Sequence, residues 1–237
     1  MTAAIRIDDL SVTLTDGDRR FRLEVGELTV TAGEAVALSG QSGTGKTCLL
    51  ELIGLLRRPD PGGSYRLAEA DGNVLALWND SSGLAALRGR AFGFVPQSGG
   101  LLPFLTLAEN IALSQKISGF LDPGWVTALA DRLGLTGLMG LYPDALSLGQ
   151  RQRGTIARAL AHRPALVVAD EPTASLDPNT ADEAMGLIME AARDGGSAVL
   201  ISSHDLPLVE HHTARGYRLE LGAASGDAVT STLREAS

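Results

Sequence analysis

Lysine is almost missing from this chain. Two of its 237 residues are lysines, Lys46 and Lys116, so arginine carries nearly all the positive charge. Cysteine is scarcer still: Cys48 stands alone, which excludes an internal disulfide and any site needing several thiolates. Aromatic residues make up 4% of the sequence, and no apolar run approaches the roughly 18 residues of a membrane span. The opening MTAAIRIDDL puts Asp8 and Asp9 where a secretory leader needs its apolar stretch. Basic residues are also outnumbered, 20 against 28 acidic, for a net charge of −8, which argues against a general nucleic-acid clamp. Together these absences predict a cytoplasmic chain that reaches a membrane only through a partner.

Glycine is what the chain has in excess: 28 residues, well above the usual share of about 7%. Something needs backbone freedom. The length exceeds one typical domain of about 150 residues and falls short of two, which fits one large core or a core with an insertion.

Short aliphatic runs recur at Ile5 to Leu14, Leu28 to Val30, Ala35 to Leu38, Phe92 to Val95, Ala165 to Ala169 and Ala198 to Ser202. The unbroken ones, ALVVA and AVLIS, read as strands buried on both faces of a parallel sheet. Helical patterns lie between them, at Thr47 to Leu56, Gly124 to Leu133, Leu148 to Ala161 and Asn179 to Arg193, so the fold class is α/β. From about Gln97 to Ala161 the alternation stops and the pattern is helical throughout, as in an insertion. YRLA and NVLAL flank EADG like an antiparallel hairpin, and residues 223–237 read as a small, polar, loosely attached tail.

Residues Gly40 to Thr47, GQSGTGKT, have two glycines five apart followed by Lys-Thr, between the strand AVALS and the helical CLLELIGLL. Such a loop turns successive backbone N–H groups toward phosphate oxygens at a helix N-terminus. Gly40, Gln41, Ser42, Gly43, Thr44 and Gly45 would form the cradle. Lys46 would reach the β and γ phosphates of ATP, and Thr47 would ligate Mg2+. Cys48 borders the loop and reads as a small buried thiol.

ALVVADE ends an apolar strand in two carboxylates, at the strand end where open α/β sheets bind ligands. Asp170 suits a magnesium ligand, and Glu171 suits a general base polarising a water. The next strand, AVLISSHD, carries His204 to the same edge, where an imidazole could hold a γ-phosphate oxygen. His162, His211 and His212 suggest no role.

These residues together resemble the nucleotide-binding subunit of ATP-binding cassette (ABC) transporters, over about Ile5 to Leu221. LSLGQRQR at Leu146 to Arg153 is similar to the family signature, with Leu148 where a glycine is usual. Gln97 in FGFVPQ matches the Q-loop, SLD at Ser175 to Asp177 the D-loop, and His204 the switch histidine. The resemblance implies a P-loop NTPase core with a mixed sheet, an N-terminal antiparallel β subdomain and an inserted α-helical subdomain. Residues 1–96 would hold the β subdomain and the P-loop part of the core, 97–161 the helical subdomain with the signature, and 162–222 the remainder of the core. It also implies a head-to-tail dimer, as a homodimer of this chain, in which Ser147, Leu148, Gly149 and Gln150 of one copy cap ATP on the P-loop of the other. Gln97 would contact magnesium or the attacking water, and Asp177 would couple the two sites.

An aromatic residue near Leu14 or Thr15 usually stacks on adenine in the family, and none occurs before Phe21. Either Phe21 substitutes or adenine rests on aliphatic groups. Leu101, Leu102, Phe104 and Leu105, just past Gln97, fall where the family receives a short helix from an integral membrane permease subunit, though leucines there can also pack the insertion's own core. FGFVPQ followed by LLP, LT and EN looks closest to the lipoprotein-releasing and macrolide-exporter type. The chain is thus expected to sit at the inner face of the cell membrane as the ATPase of a transporter. The alternatives are a soluble ABC ATPase acting on nucleic acid or ribosomes, and a small-molecule kinase, which leaves the signature unexplained.

Overall fold

The computed structural model describes residues 3–97, 100–174, 176, 178–213, 215–222 and 228–236. Its first two strands, β1 (Ala3–Asp16) and β2 (Arg19–Thr31), form a long antiparallel hairpin turned by Gly17-Asp18, with Gly17 at φ 57 as such tight turns demand. A short strand, β4 (Ser64–Leu67), pairs antiparallel with the free edge of β1. On the other side lies a parallel core of β3 (Ala35–Ser39), β5 (Phe92–Val95), β6 (Leu166–Asp170), β7 (Ala198–Ser202) and β8 (Arg215–Leu221). The strand order is β4-β1-β2-β9-β8-β3-β7-β6-β5, where β9 is Ala228–Glu235.

That last strand corrects the sequence-based expectation of a loose tail over 223–237. β9 runs parallel to β2 and antiparallel to β8, with Phe21 opposite Val229 and Leu219 opposite Leu233. It joins the antiparallel part of the sheet to the parallel part, burying Ser231 and Leu233. Its small polar residues hid it because a strand between two others is held by backbone ladders as much as by side chains. The expected hairpin around EADG is also corrected. Ser64–Leu67 is a strand, but Val74–Asn79 is a 3₁₀ turn capped by Asn73, whose side-chain oxygen accepts the Leu75 N–H and also the Tyr65 N–H.

Seven helices flank the sheet among the described residues. Helix α1 (Lys46–Ile53) buries Leu49, Leu50, Leu52 and Ile53, each worth about 1.5–3 kcal/mol relative to exposure, and so fixes the loop that precedes it. Helix α2 (Ser81–Ala91) leads straight into β5. Between β5 and β6 the chain is helical: α3 (Leu107–Ser118), α4 (Pro123–Arg132) and α5 (Leu148–Leu160). Both α3 and α5 open with a reciprocal capping box, Thr106 with Glu109 and Ser147 with Gln150, which satisfies N-terminal N–H groups that would otherwise lack partners. Helix α6 (Pro178–Gly195) packs Met185, Ile188 and Met189 onto the second of two apolar cores, and α7 (Leu206–His212) follows β7. No helix of the described residues is long and apolar enough to cross a membrane.

Candidate nucleotide site

Strands β3, β7, β6 and β5 lie side by side and parallel, so their C-terminal ends share one edge of the sheet. The four segments singled out by the sequence leave from those ends: the glycine-rich loop after β3, Ser203 and His204 after β7, Glu171 after β6, and Gln97 two residues past β5. A ligand at that edge meets all four.

The loop itself needs its glycines. Gly43 and Gly45 sit at φ 81 and φ 94, and Gly40 at φ 153, in the region that side chains with a Cβ rarely enter. At Gly45 a Cβ would also come within 2.7 Å of the Phe21 ring. Lys46 is 7% exposed, and its ammonium donates to the carbonyls of Gly40 (2.8 Å) and Gln41 (3.2 Å). The Thr44 hydroxyl donates to the same Gln41 carbonyl at 2.8 Å.

The acidic pair is held from the next strand. Asp170 is opposite Ser202 in the β6–β7 ladder, and the fully buried Ser202 hydroxyl donates to Asp170 Oδ1 at 2.6 Å. The other carboxylate oxygen of Asp170 accepts from the Thr47 hydroxyl at 3.3 Å. Glu171 takes the left-handed conformation, φ 45, and its N–H donates to the Ser202 carbonyl at 3.1 Å. A non-glycine residue at positive φ costs of order 1–3 kcal/mol and turns its side chain out of strand alternation. The carboxylate is gripped from both sides: Gln97 Nε2 donates to Oε2 at 3.0 Å, and His204 Nε2 lies 2.8 Å from Oε1.

A cavity of about 400 Å³ brings these groups together. Ser42, Gly43, Gly45, Lys46, Thr47 and Cys48 form one wall, and Gln97, Asp170, Glu171 and His204 another. Leu14 and Phe21, opposite each other in the β1–β2 ladder, close the far end. Gly40, Gln41 and Thr44 face a neighbouring hollow with Ser203 and Arg218 instead. Burial pushes the pKa of the Cys48 thiol up. His162 is buried against the Phe92 carbonyl, its pKa lowered by desolvation, and is not among this cavity's lining residues.

The signature residues do not line the cavity. Ser147 and Gln150 are engaged in their capping box, with the Gln150 N–H donating to Ser147 Oγ (3.3 Å) and the Ser147 N–H donating to Gln150 Oε1 (2.9 Å). Leu148 is 49% exposed, and a Cβ on Gly149 would meet nothing closer than Thr180 at 3.9 Å. Ser175 and Asp177, of the predicted D-loop, lie outside the described residues. Ser202 escaped sequence reasoning: its signal is a hydroxyl one strand over at the same depth as Asp170, visible only when ALVVAD and AVLIS are laid in register.

Of the four apolar residues beyond Gln97, Phe104 is exposed, Leu105 is half-buried and Leu102 lines a groove between α2 and the inserted helices, whereas Leu101 packs on the second apolar core, which the inserted helices share with β6, β7 and α6.

A family model described as ABC transporter matches residues 23–174. Over 188 residues the chain is 44% identical to the lipoprotein-releasing system ATP-binding protein LolD of Anaeromyxobacter dehalogenans, covering 78% of this chain and 77% of that one. Over 210 residues it is 39% identical to LolD 1 of Rhodospirillum rubrum, covering 86% and 89%. Among solved structures it resembles the dimeric post-hydrolysis state of the ATP-binding cassette MJ0796 bound to ADP and Pi, with TM-score 0.78, 28% identity, and coverage of 91% of this chain and 94% of that one. The chain belongs to the ABC transporter family, as one of its ATP-hydrolysing nucleotide-binding subunits.

Proposed function

We propose that Glu171 is the general base of ATP hydrolysis in this subunit. The observation that carries this is the convergence of Gln97 and His204 on its two oxygens, across a cavity from Lys46. As the attacking water's oxygen bonds to the γ-phosphorus and the bond to ADP breaks, the water's proton passes to the Glu171 carboxylate. Lys46 exchanges its two carbonyl acceptors for β- and γ-phosphate oxygens and, with the N–H groups of the loop, stabilises the transferred charge. Glu171→Gln keeps the shape and removes the base, so turnover falls by about 10²–10⁴ while ATP binding persists. An undiminished rate removes Glu171 from this role.

The Thr47 hydroxyl beside Asp170 Oδ2, with the Gln97 carbonyl oxygen on the same wall, is a set of hard oxygen donors that suits Mg2+. Bound there, Mg2+ would neutralise charge on the β- and γ-phosphate oxygens. Ser202 holds Asp170 in orientation for it. Adenine stacks on Phe21, which replaces the missing aromatic at Leu14 from the paired position across the hairpin.

The subunit works as a dimer, each signature capping the P-loop of the other copy, and it powers a membrane subunit of the lipoprotein-releasing kind from the inner face of the membrane. That partner docks in the groove of about 440 Å³ lined by Leu56, Phe94, Leu102 and Ile117, with Leu56 and Ile117 largely exposed and Arg88 and Arg158 among its lining residues. The buried Asn110 amide shapes the adjoining loop, bonding the Leu102 N–H and the carbonyls of Leu102 and Leu105. Ile117→Asp should abolish copurification with the membrane subunit and leave the isolated subunit's ATPase rate intact. Retained copurification moves the docking site elsewhere.

A further inference from the structure

Away from the nucleotide cavity, Asp182 on α6 and His211 and His212 at the end of α7 form a second cluster of ligating side chains. One ligand atom from each lies within 4.8 Å of the other two. We propose that this cluster is a binding site for a transition-metal dication of the Zn2+, Ni2+ or Co2+ type.

Consecutive residues on a helix point about 100° apart, so adjacent histidines ordinarily cannot serve one ion. Here α7 ends at His212, and Thr213 leaves it in an extended conformation. The two rings meet edge to face, 4.9 Å between centroids at 84°. Asp182 completes the set from a different helix, with Oδ1 2.8 Å from His212 Nε2. A plain ion pair at the end of a helix accounts for His212 and Asp182 but not for the His211 ring, which lies edge to face against His212 with a ligand atom within 4.8 Å of theirs.

The chemistry of the donor set selects the ion. Two imidazoles and one carboxylate suit the borderline dications, and they suit Mg2+ poorly, unlike the oxygen donors of Thr47 and Asp170. The site is open enough for water to complete the coordination, since the Asp182 side chain is 57% exposed, while His212, at 16%, is held in place. An ion there would tie α7, which begins two residues after His204, to α6.

The test is calorimetric titration of the full chain with Zn2+ in excess Mg2+, alongside His211→Ala, Asp182→Asn and His204→Ala. The proposal predicts one ion per chain with a dissociation constant on the order of micromolar. His211→Ala and Asp182→Asn should each weaken it by at least about tenfold, and His204→Ala should leave it unchanged. Co2+ bound to the wild-type chain should show visible absorption bands that His211→Ala removes while keeping the same far-ultraviolet circular dichroism. Absence of one-to-one binding overturns the proposal. So does binding that survives both cluster substitutions, or that is lost in His204→Ala, which would place the ion beside Glu171.

Discussion

In the proposed dimer the glycine-rich loop of one copy and the signature helix end of the other would meet one nucleotide, yet this chain builds the two ends to different degrees. Around the loop the side chains engage one another: buried Lys46 on two carbonyls, Asp170 between Thr47 and Ser202, Glu171 between Gln97 and His204. At the start of α5 the Ser147 and Gln150 side chains each bond the other's backbone N–H, and Leu148 is about half exposed where the family usually has glycine. One end is a pocket within a single chain. The other is a helix terminus with a positive dipole end, outside the lining of that pocket, as the proposed capping of a second copy requires.

Substitutions at the two ends should separate accordingly. Lys46→Ala strikes the enclosed end and carries the largest effect on binding: losing charge-assisted bonds worth about 1.5–3 kcal/mol should weaken ATP affinity by about 10- to 100-fold, read with a fluorescent nucleotide. Phe21→Ala should weaken it by about tenfold through lost stacking, nearly equally for ATP and GTP, because stacking tolerates any base. A loss confined to ATP would mean that the base edge is read elsewhere.

Ser147→Ala should leave nucleotide binding to the isolated chain unchanged. Losing the cap costs about 1 kcal/mol, a fall of about 2–4 °C in Tm for a chain of this size, and the dimer's turnover should drop several-fold beyond that. A Tm change with full turnover at low temperature would reduce Ser147 to a cap. Smallest is Leu148→Gly, which costs about 0.5–1 kcal/mol of helix stability yet should raise dimer turnover by a few-fold by admitting closer backbone approach.

What the sequence made legible was local. The glycine-rich loop is contiguous, its strand and helix are read from their own residues, and the S-x-x-Q box of Ser147 and Gln150 announces a helix start. The shared edge of β3, β6 and β7 followed from apolar strands ending in chemistry. Features that depend on pairing were hidden. β9 is polar enough to pass for a tail, and its identity comes from neighbours about 200 residues away on one side and 10 to 18 residues away on the other. Ser202 gains its role from register with Asp170, and Phe21 from lying opposite Leu14. His211 and His212 suggested no role because Asp182, which lies beside them, comes from another helix.

The claim that each chain carries two unlike halves of the site is tested most directly by the mass of Glu171→Gln in solution with saturating ATP, by light scattering. The account predicts a dimer of twice the 24.7 kDa chain, formed with ATP and not with ADP, and reverting to monomer when Ser147→Arg is added. A monomer at saturating ATP, or a dimer indifferent to Ser147→Arg, would contradict it.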